Sequence, residues 1–205
     1  MTEKLITCDN LGVQKGGQWV FRHLNAEFHA GECVLIHGRS GSGKTVLLES
    51  IKLITSCSEG EIKFSEAGDA KSLRKLMLYL PFWPKLPLRH SVERYVRDSE
   101  KHGHRQGTAE AVIEYFDLES VLHDRISTLS AGWQKRLQLV QLLFREERIW
   151  LLDHPTALLD SEGLGMLEGL MQTRRQQDGL ILYTSPLSQV PEGTELPEGL
   201  RILQL

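Results

Sequence analysis

Apolar runs and their spacing divide the chain into alternating strands and helices. Leu5–Leu11 and Trp19–Phe28 flank the pair Gly16-Gly17 and predict two strands joined by a turn. Cys33–His37 reads CVLIH, a short unbroken apolar run of the kind buried in parallel sheets. A helix is predicted over Thr45–Leu53, with further strands over Glu61–Phe64 and Met77–Leu80. PFWPKLP at 81–87 then interrupts the pattern. From about Ser91 to Phe116 the signals are helical and more polar, divided by Gly103 and Gly107. Ala131–Phe144 predicts one amphipathic helix with Trp133, Leu137, Val140 and Phe144 on a single stripe. Ile149–Leu152 predicts a buried strand, Glu162–Gln177 a helix and Leu180–Thr184 a strand. This alternation predicts an α/β core with a mostly parallel sheet, an N-terminal antiparallel β part, and a helical lobe inserted at about 84–145.

Composition narrows the classes without choosing a chemistry. The chain has 205 residues, which suits one domain spanning 1–205. Its formal net charge is −3, whereas a dedicated nucleic-acid binder carries a basic excess, so no nucleic-acid partner is expected. No apolar run approaches the ~18–20 residues that span a bilayer. The opening MTEKLITCDN lacks the apolar core of a secretory signal, which predicts a cytoplasmic location. Cys8, Cys33 and Cys57 lack metal-ligand spacing and are expected to be reduced, partly buried thiols.

The chemistry begins at Gly38–Thr45, GRSGSGKT, between the CVLIH strand and a predicted helix. Strand, glycine-rich loop and helix together make a phosphate-binding P-loop. Glycines at 38, 41 and 43 let backbone N–H groups converge on phosphates, with Ser40 and Ser42 between them and the helix dipole behind. Lys44 would reach the β- and γ-phosphates, and the Thr45 hydroxyl would ligate Mg²⁺. Arg39 either adds to phosphate attraction or points to solvent. Asp153 ends an apolar strand, where a carboxylate can hold the same Mg²⁺ beside Thr45, or merely cap a loop. Ser130 stands where a helix N-cap is expected, with Ala131 and Gly132 behind it, an anion site as well as an ordinary cap.

Leu129-Ser130-Ala131-Gly132, the following Trp133-Gln134-Lys135-Arg136, and Ile149–Asp160, IWLLDHPTALLD, complete a recognisable set. Together with the P-loop they resemble the ATP-binding cassette (ABC) family of transport ATPases, over essentially the whole chain. The resemblance implies a P-loop NTPase fold with an ABC-type core and Mg-ATP as ligand. It implies a head-to-tail dimer in which the Ser130–Gly132 segment closes on ATP held by the opposite subunit. Asp160 matches the aspartate at that dimer interface; its other reading is an acid in the first turn of the following helix. Also implied are a membrane permease subunit, a second ATP-binding subunit, identical or different, and a place on the cytoplasmic face of the inner or plasma membrane. The size and the LSAG variant with its basic run further resemble the ATP-binding subunit of the cytochrome c maturation, haem-handling ABC complex. Small lipid- or lipoprotein-transport ATPases share these features.

Departures from the family pattern cluster around hydrolysis. His154 follows Asp153 where a water-activating Glu is usual. Ser185-Pro186 follows the last strand where a switch His is usual. Phe82 stands in place of the Q-loop Gln, and Trp133 in place of the signature Gln. Loss of a general base costs ~10²–10⁴-fold in rate. ATP binding with impaired hydrolysis at the chain's own site is therefore expected. His154 acting as a weak base is the competing reading. Trp19, with Phe21 next, is the nearest aromatic candidate for stacking on adenine, and Phe82-Trp83 for contacting a permease; local packing is the alternative for each. Other functions left open are a regulator or scaffold using ATP-driven dimerisation, and a small P-loop kinase, which would leave LSAG and PTALLD unexplained.

Overall fold

The computed structural model describes residues 2–103, 107–185 and 200–205. The strands are β1 (Lys4–Lys15), β2 (Gln18–His29), β3 (Cys33–His37), β4 (Glu59–Phe64), β5 (Met77–Leu80), β6 (Ile149–Leu152), β7 (Leu180–Thr184) and β8 (Leu200–Gln204). The helices are α1 (Lys44–Ile51), α2 (Ala70–Lys75), α3 (Val92–His102), α4 (Ala109–Tyr115), α5 (Ala131–Leu139), α6 (Gln141–Phe144) and α7 (Ser161–Gln176). They fall into two compact units, one of Met1–Tyr79, Glu147–His154 and Thr173–Leu205, the other of Leu80–Glu146 and Pro155–Gln172.

The first unit carries both sheets. β1 and β2 form an antiparallel hairpin closed where Lys15 pairs Gln18. Gly16 and Gly17 both have positive φ there (59° and 78°), as a two-residue hairpin turn requires. β4 pairs β1 antiparallel on the other side, giving the order β2-β1-β4. The second sheet runs β5-β6-β7-β3-β8, and its β6–β7, β7–β3 and β3–β8 pairs are parallel. CVLIH is central here because a strand paired on both edges and covered on both faces needs apolar side chains at successive positions. Val34, Ile36, Leu151 and Leu182 join Leu47, Leu48 and Ile51 of α1 and Leu5, Ile6 and Phe28 of the hairpin in one buried cluster. The expected mostly parallel core and antiparallel N-terminal part are thus both present.

The second unit is helical. Helices α3 and α4 start on side-chain caps: Ser91 Oγ accepts from Arg94 N at 3.2 Å, and Thr108 Oγ1 from Ala111 N at 3.2 Å. The single helix expected over Ala131–Phe144 is instead two, α5 and α6, meeting at Val140. Val140 N–H bonds the Leu137 carbonyl and Leu143 N–H bonds the Val140 carbonyl, a tighter i→i−3 pattern that interrupts the α-helical ladder. Leu137, Val140 and Phe144 of the expected stripe are buried, and burial extends all round from Lys135 to Val140. Lys135, Arg136 and Gln138 are buried with polar partners in this unit. Two elements, α2 and β8, lie outside the sequence expectation.

Candidate functional site

The P-loop is strung between the end of β3 and the start of α1. Gly43 caps α1 with φ 100°, and a Cβ there would lie 2.6 Å from Val20 Cγ1, so both conformation and space select glycine. Lys44 is 7% exposed, and its ammonium turns back over the loop, donating to the Gly38 carbonyl at 2.7 Å and the Arg39 carbonyl at 3.0 Å. Arg39, Ser40 and Gly41 are exposed at the crest, so the Arg39 side chain lies on the solvent side. The Ser42 hydroxyl is buried without a hydrogen-bond partner, a polar group whose desolvation a phosphate oxygen would offset.

Beside the loop lies a carboxylate with hydroxyls on both oxygens. Asp153 is 2% exposed at the end of β6. Thr45 Oγ1 donates to its Oδ2 at 2.9 Å and Thr184 Oγ1 to its Oδ1 at 2.7 Å. Thr184 Oγ1 in turn accepts from His154 N at 2.9 Å. The polarity is forced, because an amide N–H only donates and an ionised carboxylate only accepts. His154 has φ 47°, in the left-handed region that histidine enters more readily than most residues. Ser185 follows Thr184 and is buried. Burial, and then the negative charges of Asp153 and Glu49, push the Tyr79 phenol above its ordinary pKa, so it stays protonated. Gly38–Thr45, Asp153, His154 and Ser185 thus all belong to the first unit.

In the second unit Ser130 caps α5, its Oγ accepting from Trp133 N at 3.3 Å. Ser130, Gly132 and Asp160 line one cavity of about 150 Å³ together with Trp133, Arg136 and Leu158. Both Asp160 carboxylate oxygens accept from Arg136, at 2.8 and 2.9 Å, and Oδ1 also accepts from Gly163 N at 2.9 Å. Gly163 N–H and the Arg136 guanidinium hold the Asp160 carboxyl below the usual range. The Trp133 ring lies 4.8 Å from the Arg136 guanidinium.

The remaining aromatic candidates each make local contacts. Trp19 packs on Gly12 and lies under the Arg22 guanidinium at 4.1 Å. Val20 and Phe21, its neighbours, are the β2 residues that approach Gly43. Trp83 is 66% exposed, but Phe82 is half-buried, and its carbonyl accepts from Lys135 Nζ at 3.1 Å. Burial pushes the Cys8 and Cys33 thiols up to about 12 and about 11, which keeps them protonated and inert. Pro186 lies outside the described residues. Sequence reasoning missed Thr184, Lys135 and Gln138. Thr184 carries one faint signal, a polar residue ending an apolar strand; the other two carry none.

The ABC transporter family profile matches residues 21–157. Among curated proteins, ABC transporter I family member 1 of Arabidopsis thaliana is 28% identical over 183 residues, covering 87% of this chain and 80% of that protein. The cytochrome c biogenesis ATP-binding export protein CcmA of Vibrio cholerae is 29% identical over 188 residues, covering 88% of this chain and 90% of its own length. A putative ABC transporter ATP-binding protein from Pyrococcus furiosus superposes with a TM-score of 0.78 at 21% identity, covering 98% of this chain and 96% of that one. A dimeric ATP-binding cassette in a post-hydrolysis state with ADP and Pi gives 0.73 at 21% identity, covering 89% and 88%. The family match spans most of the chain and includes the P-loop, the Ser130–Gly132 segment and Asp153: the chain belongs to the ABC transporter family, with the fold of its ATP-binding cassettes.

Proposed function

We propose that this chain is the ATP-binding subunit of an ABC transporter complex, binding Mg-ATP in the P-loop and driving or gating a separate permease by ATP-dependent dimerisation. Hydrolysis at its own site is impaired. The observation that carries the reading is the pairing of a complete phosphate and Mg²⁺ donor set with altered hydrolytic positions. Loop amides at 38–43, Lys44 and the Ser42 hydroxyl suit the phosphates. Thr45 and Asp153 offer the hard oxygen donors that Mg²⁺ takes, already within hydrogen-bond distance of one another at 2.9 Å. When bound, the ion supplies charge neutralisation on the β- and γ-phosphate oxygens. Lys44 would exchange its two loop carbonyls for phosphate oxygens. His154, Ser185 and Phe82 occupy the positions that would activate and orient water, and none carries the group usual at its own position, an acid at 154, an imidazole at 185 and an amide at 82.

The permease contact is assigned to the exposed Trp83 and Leu88, two large apolar side chains in one short segment of the second unit. The similarity to CcmA proteins favours a partner in cytochrome c maturation among the possible complexes. Purified chain is expected to bind Mg-ATP by calorimetry and to turn it over barely above the buffer rate. Brisk turnover by the homodimer overturns impaired hydrolysis; absence of nucleotide binding overturns the whole reading. Trp83→Ala with Leu88→Ala should weaken co-purification with the permease while ATP affinity stays unchanged.

A further inference from the structure

We infer that Thr184 is a positioning residue for the metal carboxylate, the anchor that keeps Asp153 aimed at the ion once Thr45 turns away from it. The inference rests on the Mg-ATP reading proposed above. Asp153 is held by two hydroxyls with different fates. Thr45 Oγ1, on Oδ2, is the group that would itself ligate Mg²⁺, and in doing so it would give up its bond to Asp153. Thr184 Oγ1, on Oδ1, is fully buried at the end of β7 and remains. A single hydroxyl proton cannot serve two acceptors, and here it is committed to Asp153 because the carboxylate oxygen only accepts, while a lone pair on the same hydroxyl takes the His154 N–H. The resulting relay, His154 N–H to Thr184 O–H to Asp153, is polarised in one direction and strengthens the last bond. It also ties the end of β6 to the end of β7, so carboxylate orientation is set by the sheet rather than by loop side chains. Asp153, so held, and Thr45 would be the residues that hold the ion.

The test is a Mg²⁺ titration of the binding of a fluorescent ATP analogue, followed by anisotropy, with a matched series in EDTA. A hydrogen bond to a charged group is worth about a tenfold change in affinity or more. Thr184→Val keeps the shape but removes the proton, and should raise the Mg²⁺ concentration for half-maximal binding by about tenfold or more. Its nucleotide affinity in EDTA should match that of the wild type, a split that a merely destabilised fold would not produce. Thr184→Ser restores the hydroxyl without the methyl and should return the wild-type Mg²⁺ requirement, even at a lower melting temperature. A serine variant shifted like valine, or a folded valine variant with the wild-type requirement, overturns the assignment alone. A wild-type chain whose nucleotide affinity ignores Mg²⁺ overturns the proposed function and this assignment with it.

Discussion

Two aspartates in this chain show how position sets the work of one residue type. Among the described residues Asp153, which is buried, takes neutral hydroxyl donors, whereas Asp160 is largely exposed and takes a backbone N–H and a guanidinium. Both donors to Asp160 favour its charged form, so its folded pKa lies below the ordinary value of 3.8. A depressed carboxyl contributes stability above its unfolded pKa and loses it as pH falls through the folded value. Asp160→Asn keeps an oxygen for Gly163 N–H but not the charge for Arg136. Urea midpoints should therefore separate wild type from variant at pH 7 and converge below about pH 4. A gap that persists unchanged into acid would contradict this assignment. Gly38–Thr45 and Asp153 were legible in sequence because phosphate chemistry demands those residue types in that order. Thr184 was not, because a β-branched residue ending a strand needs no functional explanation. The burial of Lys135 and Arg136 was not legible either, since the carbonyls and carboxylates that let them be buried come from distant sequence.

At the scale of elements, strand β3 and the loop after it were legible together, because an unbroken apolar run and a glycine-rich stretch each have one economical structure. β8 was missed because Leu200–Gln204 is a strand only through its pairing with β3, where Leu205 N–H reaches the His37 carbonyl at 2.8 Å. The α5–α6 break was missed because nothing in the sequence resembles a breaker; Val140 is accommodated by i→i−3 bonding. The junction of β2, the P-loop and α1 is a sharper case. Gly43 sits against Val20 and Phe21 with φ 100°. Gly43→Ala incurs about 1–2 kcal/mol for a left-handed L-residue, and the 2.6 Å approach to Val20 Cγ1 adds to it. Chemical denaturation should show at least that loss, accompanied by weaker ATP binding as α1 shifts from the loop. Gly41→Ala is the control: its φ is also positive, at 82°, but nothing lies within 4 Å of the added carbon. It should show the backbone cost without the crowding.

For the whole molecule, the placement of His154 carries a consequence for assembly. If, as proposed, the chain dimerises on ATP and hydrolyses it slowly, the closed dimer should persist. Wild-type protein in Mg-ATP should therefore accumulate as a dimer by light scattering, with no substitution needed to block turnover. Removing Mg²⁺ with EDTA should return it to monomer, because Thr45 and Asp153 then lose the ion that links them to the phosphates. Lys44→Ala should stay monomeric under all conditions, since the buried ammonium would be the P-loop's main cationic contact for phosphate in the proposed reading. His154→Glu supplies the missing acid in the same backbone site. If the histidine is the sole obstacle, that variant should gain turnover and lose the stable dimer together. If Ser185 and Phe82 also limit hydrolysis, it should remain dimeric with little gain, because residues that act as a unit in catalysis are not additive. A wild-type chain that stays monomeric in saturating Mg-ATP would instead require a different second subunit. In that complex the Ser130–Gly132 segment of this chain would complete the partner's site, and a bulky residue at Gly132 should then reduce the partner's turnover more than Lys44→Ala does.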